Sequence, residues 1–130
     1  MSERERPKIL VVDDIPENVR LLEAVLVPEG YDVVTAGDGA QALTAVETEQ
    51  PDLVLLDIFM PELDGYAVCE RLRANERTAG ITVVALTAQA MQGDRERFLE
   101  AGFDGYISKP VDVPDFIASV KRYCEEAPSG

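Results

Sequence analysis

Five short apolar runs rich in β-branched residues alternate with five stretches of helical period, and that alternation restricts the fold more than any other feature of this chain. The runs lie at 8–13, 31–36, 52–57, 81–87 and 104–109. Three of them carry unbroken apolar cores: Ile9-Leu10-Val11-Val12, Leu53-Val54-Leu55-Leu56 and Val83-Val84-Ala85-Leu86. A strand with one wet face alternates apolar and polar residues. An unbroken run predicts a strand covered on both faces, as in a parallel sheet.

The stretches between the runs space their apolar residues three and four apart. In the first, Val19, Leu22, Val25 and Leu26 share a face, while Glu17, Arg20 and Glu23 turn to water. Pro16 suits its first turn, and Pro28 with Gly30 ends it. The second begins near Asp38-Gly39, buries Leu43 and Val46, and stops before Pro51. The third uses Val68, Cys69 and Leu72, and the fourth uses Met91, Phe98 and Leu99, closing at Gly102, with Gly93 obscuring its start. The fifth opens at Asp112-Val113-Pro114-Asp115, an acidic cap followed by proline, and buries Phe116, Ile117, Val120 and Cys124.

Strand and helix alternating in this way predict right-handed βαβ units. The expected fold is α/β: a doubly wound, five-stranded parallel sheet with helices on both faces, (βα)5. Spacing leaves the strand order open, but either common order gathers ligand sites at the carboxyl ends of the strands, beside the point where the order reverses. The chain is long enough for one compact domain, with 130 residues, 46% of them apolar. Domain limits are expected at 8–126, with a loose segment at 1–7 and a tail or the start of a linker at 127–130.

Charge and composition remove whole classes of function. Lys and Arg number 12 against 25 Asp and Glu, and His is absent, for a net charge of −13. Without histidine there is no imidazole base, no Cys–His or Ser–His pair and no histidine metal ligand. The acidic balance opposes broad binding to nucleic acid or anionic lipid. Cys69 and Cys124 fall on helical apolar stripes and read as small buried hydrophobes. No apolar run approaches the ~20 residues of a membrane span, and the opening residues are charged, so a cytoplasmic protein is expected.

Chemistry gathers at the predicted strand ends. The first strand ends in Asp13-Asp14, the third in Asp57, the fourth in Thr87 and the fifth in Lys109. An Asp after a strand can simply cap the next helix. Asp57 fits that role poorly, because Ile58-Phe59-Met60-Pro61 follows it and the next helix starts more naturally at Asp64-Gly65. Carboxylates converging on one crevice repel by roughly 4 kcal/mol per pair at 4 Å and an effective dielectric of about 20. A positive partner must compensate. Oxygen ligands without His or Cys select a hard ion such as Mg²⁺, and Lys109 adds a compact charge in a chain with nine Arg and only three Lys.

These residues resemble the receiver domain of two-component response regulators. The resemblance rests on Ile9-Leu10-Val11-Val12-Asp13-Asp14, Leu55-Leu56-Asp57-Ile58-Phe59-Met60-Pro61, Asp64-Gly65, Leu86-Thr87-Ala88 and Ser108-Lys109-Pro110, in that order along the chain. In the style of Asp13-Asp14-Ile15-Pro16-Glu17-Asn18 and Tyr106-Ile107-Ser108-Lys109-Pro110, it is most similar to stand-alone and cyclase-linked bacterial receivers. It implies a flavodoxin-like strand order 2-1-3-4-5. It also implies that Asp57 accepts a phosphoryl group from the phosphohistidine of a histidine kinase or histidine phosphotransfer protein. Asp14, Asp57 and the Phe59 backbone carbonyl would bind Mg²⁺ directly, with Asp13 acting through water. Lys109 and Thr87 would hold phosphoryl oxygens, and the Lys109-Pro110 bond would be cis.

The resemblance further implies that Thr87 and Tyr106 relay phosphorylation to the face formed by the fourth helix, fifth strand and fifth helix, which docks a downstream target or linked effector. Such a module catalyses only its own phosphotransfer and dephosphorylation. Phe59 departs from the commoner residues two places after the acceptor, and its ring would border the phosphoryl site. Arg95, Arg97, Lys121 and Arg122 read as solvated helix faces. Two rival readings are a Mg²⁺-dependent aspartate-nucleophile phosphohydrolase and a docking module that is never phosphorylated. The first places a second Asp where this chain has Phe59. With only Ala127-Pro128-Ser129-Gly130 after the fifth helix, either a single-domain regulator or a fragment of a longer one is expected.

Overall fold

A computed structural model describes residues 6–88 and 94–126 of the chain. The strands are β1 (Lys8–Val12), β2 (Asp32–Ala36), β3 (Leu53–Asp57), β4 (Thr82–Thr87) and β5 (Gly105–Ser108). They alternate with α1 (Pro16–Leu26), α2 (Gly39–Glu49), α3 (Gly65–Ala74), α4 (Asp94–Glu100) and α5 (Val113–Glu126). All strand pairs are parallel, in the order β2-β1-β3-β4-β5. The doubly wound sheet expected from the alternation is therefore present, in the implied order.

Side-chain parity along the three central strands divides the core in two. Ile9, Val11, Leu53, Leu55, Val84 and Leu86 pack with Leu22 and Leu26 of α1 and Phe116 and Val120 of α5. Leu10, Val12, Val54, Leu56, Val83 and Ala85 pack with Val46 of α2, Val68 and Leu72 of α3 and Phe98 of α4. Both faces of β1, β3 and β4 are thus dry, which is why these segments carry no polar alternation. Because every crossover is right-handed, reversing direction after β2 moves the next helices to the opposite face, and the reversal falls between β1 and β3.

Local chemistry sets the helix boundaries. The Asp38 carboxylate accepts the Gln41 amide at 2.8 Å and caps α2, and Asp64 accepts the Ala67 amide at 2.9 Å and caps α3. Pro16 opens α1, which tightens into a 3-10 turn at Val27–Glu29 and is closed by Gly30 at φ 97°. Four core expectations need correction, and two of them, Leu43 and Ile117, are half-buried instead of buried. Leu99 is 42% exposed, because α4 presents Phe98 to the core instead. Cys124 is half-buried, at the margin of the α1–α5 core. The expected start of the fourth helix near Met91 and Gly93 lies outside the described residues. Among the described residues, no helix is long and apolar enough to cross a membrane.

Candidate functional site

The carboxyl ends of β1 and β3 flank the reversal point, and each carries an aspartate that does not cap a helix. Asp13 Oδ1 accepts the Ile15 amide at 2.9 Å, and Asp57 Oδ1 accepts the Phe59 amide at 3.2 Å. Each carboxylate folds back on the amide two residues on, a local turn that holds the side chain over the strand end instead of over a helix N-terminus. Asp64, seven residues later, takes the capping role. This division of labour separates the site carboxylates from the structural ones.

Asp13, Asp14 and Asp57 each place a carboxylate oxygen within 4.8 Å of the others. Asp13 is 1% exposed and Asp57 4%, whereas Asp14 is open to solvent. Lys109 lies just past β5, and its amide bonds to the Thr87 carbonyl at 2.8 Å. Its ammonium reaches back between the two buried carboxylates, 3.0 Å from Asp13 Oδ2 and 3.6 Å from Asp57 Oδ1. The Lys109-Pro110 peptide is cis. Asn18 of α1 adds a donor to Asp13 Oδ2 at 3.2 Å. The sequence reading gave Asn18 no role; its only signal was a polar amide one helical turn into α1 on the side facing β1.

Burial pushes the Asp57 carboxyl up to about 6, against the opposing pull of the Lys109 ammonium; Asp13 raises it further, the Phe59 amide lowers it, and Asp14 raises it. Oδ1 of Asp57 is thus the oxygen that both the Phe59 amide and the Lys109 ammonium approach. Thr87 is buried at the end of β4, in register with Ser108. Tyr106 is half-buried on β5, with its ring centroid 5.3 Å from that of Phe98. Phe59 is 57% exposed. The two cysteines play no part. Burial pushes both thiols up to about 11, far from a reactive thiolate.

The chemistry of the donor set fits a small hard cation. All candidate ligands are oxygens, three carboxylates converge, and a single lysine cannot neutralise them. Among the described residues, Asp13, Asp14 and Asp57 form the one acidic group of this kind.

A parallel sheet in this order, with an acidic triad at the switch point and a lysine after the last strand, defines a class, and comparison bears it out. Residues 9–121 match the family model of the response regulator receiver domain, and the chain belongs to that family. It is 46% identical over 114 residues to the response regulator PleD of Caulobacter vibrioides, covering 88% of this chain and 25% of PleD. It is 38% identical to the polar-differentiation response regulator DivK of Brucella ovis, covering 92% of this chain and 97% of DivK. A third relative, the DNA-binding dual master transcriptional regulator RpaA of Synechocystis, is 42% identical, covering 88% of this chain and 48% of RpaA. The chain thus spans a quarter to a half of the length of PleD and RpaA.

Solved structures agree. The receiver domain of the sensor histidine kinase PA1611 from Pseudomonas aeruginosa, which has a magnesium ion coordinated in its active site cleft, superposes with a TM-score of 0.84 at 37% identity, covering 93% of this chain and 99% of that one. A CheY-like response regulator receiver domain protein from Methanospirillum hungatei gives 0.85 at 29% identity, covering 95% and 97%. Receiver domains are signalling modules that act through other proteins.

Proposed function

We propose that Asp57 is the phosphoacceptor of a cytoplasmic two-component pathway, taking its phosphoryl group from a histidine kinase or histidine phosphotransfer protein. One observation carries this reading: a carboxylate buried at the switch point, converging with Asp13 and Asp14 and standing 3.6 Å from the Lys109 ammonium. A carboxylate oxygen of Asp57 attacks phosphorus, the P–N bond of the donor phosphohistidine breaks, and an acyl phosphate forms on Asp57. Such transfer needs alignment and charge neutralisation more than covalent help. Asp14, Asp57 and the Phe59 carbonyl would hold Mg²⁺, with Asp13 acting through water, and a bound ion would supply charge neutralisation for the transferring group. The Lys109 ammonium, within reach of Asp57, exchanges carboxylate contacts for a phosphoryl oxygen, and the Thr87 hydroxyl follows another.

Two surfaces fit the partners. Beside the crevice, Leu21 and Leu22 of α1 face Pro110 and Val111 across an apolar cleft of about 290 Å³, suited to a helix of the phosphodonor. On the far side, a cleft of about 400 Å³ between Arg95, Tyr106 and Arg122 suits a target or linked effector that reads the state of Tyr106. With Mg²⁺ and acetyl phosphate, the protein should gain one phosphoryl group by mass spectrometry, mapped to Asp57. Undiminished labelling of Asp57→Asn would overturn the assignment. Steady turnover of phosphate esters would favour the phosphohydrolase reading instead.

A further inference from the structure

Four aromatic rings form a continuous stack between the start of α3 and β5. Tyr66, the second residue of α3, stacks on Phe98 of α4 with centroids 5.9 Å and planes 14° apart. Phe98 leans in turn on Tyr106 of β5 at 5.3 Å and 37°. Phe103 meets both Tyr66 and Phe98 edge-on, with centroids 5.8 Å from each. Phe98 and Phe103 are buried, whereas the terminal rings of Tyr66 and Tyr106 are half-buried.

The Tyr66 end of the stack is anchored to the acceptor. The Gly65 amide donates to the Ile58 carbonyl at 3.0 Å, and a Cβ at Gly65 would come within 2.5 Å of the Asp57 carbonyl oxygen. The first turn of α3 therefore sits hard against the backbone that carries the Asp57 carboxylate, with Tyr66 the next residue after the contact. The other end of the stack opens on the α4–β5–α5 face.

We propose that Tyr66 is a positioning residue of the switch: its ring holds Phe98 in the resting packing and so sets how readily Tyr106 moves inward. This rests on the reading of Tyr106 as the moving aromatic. Packed interiors change between discrete arrangements and do not deform smoothly. Tyr106 enters the space under α4 only if Phe98 gives way, and Phe98 is backed by Tyr66 and Phe103. Thr87 is the input from β4 in the proposed function, Tyr66 adds a second, and the start of α3 belongs to the switch although it lies outside the α4–β5–α5 face. Shortening Tyr66 removes the backstop and shifts Tyr106 inward before any phosphoryl group arrives.

The test is NMR of ring-labelled Tyr and Phe in the full chain with Mg²⁺, with and without beryllofluoride as a phosphoryl mimic. In the wild type, the Tyr66 and Tyr106 ring signals should move together on adding the mimic. Tyr66→Phe keeps the ring and should behave as wild type. Tyr66→Leu should move the mimic-free Tyr106 signals toward their mimic-bound positions, raising the inward-to-outward ratio about three- to tenfold, the worth of one ring–ring contact. Resting Tyr106 signals unchanged in Tyr66→Leu overturn the proposal. If that variant does not fold, wild-type Tyr66 ring signals that stay fixed while Tyr106 moves overturn it equally. Shifts confined to the Asp57 crevice, with Tyr106 fixed in the wild type, overturn the Tyr106 reading and this proposal with it, and leave Asp57 as acceptor.

Discussion

The Lys109 ammonium is hydrogen-bonded to Asp13, at 3.0 Å from Oδ2, and stands farther from Asp57, at 3.6 Å. The half-buried lysine thus rests on Asp13 and not on the proposed phosphoacceptor. Asp13 Oδ2 also takes the Asn18 amide, and Oδ1 takes the Ile15 amide, so both oxygens of this aspartate have donors. In the resting site Lys109 compensates charge, and it can be released toward an arriving phosphoryl group.

Lys109→Ala should destabilise the fold by about 1–2 kcal/mol near neutral pH, less than a fully buried pair because the side chain is 19% exposed. It should also raise the Asp57 carboxyl above about 6, since Lys109 is the strongest influence holding it down. Urea unfolding and an NMR titration of the metal-free protein measure the two effects. Lys109→Arg keeps the charge but exchanges a compact ammonium for a planar fork. It should retain some phosphorylation and lose target binding; a pull-down with normal target binding would show that charge alone suffices.

The raised Asp57 carboxyl makes metal-free stability depend on pH in a defined direction. Its folded value, about 6, lies above the ordinary 3.8, so the folded state holds this proton more tightly than the unfolded chain does. That contribution is complete below pH 3.8 and is lost as pH rises through about 6. Ionised Asp57 therefore costs up to about 3 kcal/mol at neutral pH. Asp57→Asn should unfold at higher denaturant than wild type at pH 7 without metal, and the gap should close toward pH 4. A gap independent of pH would contradict the assignment.

Asp14 is the exposed member of the acidic group. Asp14→Ala should weaken Mg²⁺ binding at least about tenfold by calorimetry, through loss of a direct carboxylate ligand. The apo fold should be unchanged or slightly more stable, because one source of repulsion on Asp57 is gone.

Gly65→Ala places a methyl group 2.5 Å from the Asp57 carbonyl oxygen, closer than real contacts allow, and the obstacle is backbone. The start of α3 must shift. A loss of about 1–3 kcal/mol is expected, together with slower phosphorylation by acetyl phosphate, as the acceptor strand end is displaced.

Arg73 is a structural residue with no sequence signal. Its Nε donates to the Gly102 carbonyl at 2.8 Å, one terminal nitrogen to the carbonyls of Ala79 and Ile81, and the other to Asp104 at 2.9 Å. One guanidinium thus ties the ends of α3 and α4 to the starts of β4 and β5. Arg73→Lys cannot match this fork and should cost about 2–3 kcal/mol in thermal or urea unfolding, with Asp57 labelling retained.

The site was legible because its residues stand where packing gives them no reason to be. An aspartate ending an unbroken apolar strand, or a lysine directly before proline, breaks the local pattern visibly. The cap assignments were also local: Asp38 and Asp64 needed only the residues three places on. Leu99 was misjudged because period alone does not reveal how much of a short helix reaches the core.

The amino-acid sequence by itself determined the alternation of strands and helices, the burial of β1, β3 and β4 on both faces, and the cast of Asp13, Asp14, Asp57, Thr87 and Lys109. Each of these is written in spacing and side-chain type within a few residues. Tertiary structure alone decided that Lys109 rests on Asp13, that Asn18 completes the donors around it, that Arg73 bridges four segments, and that Tyr66 is stacked in line with Tyr106. Those relationships join residues up to ninety-six positions apart. They depend on strand register and on the face each helix takes, which no local pattern encodes.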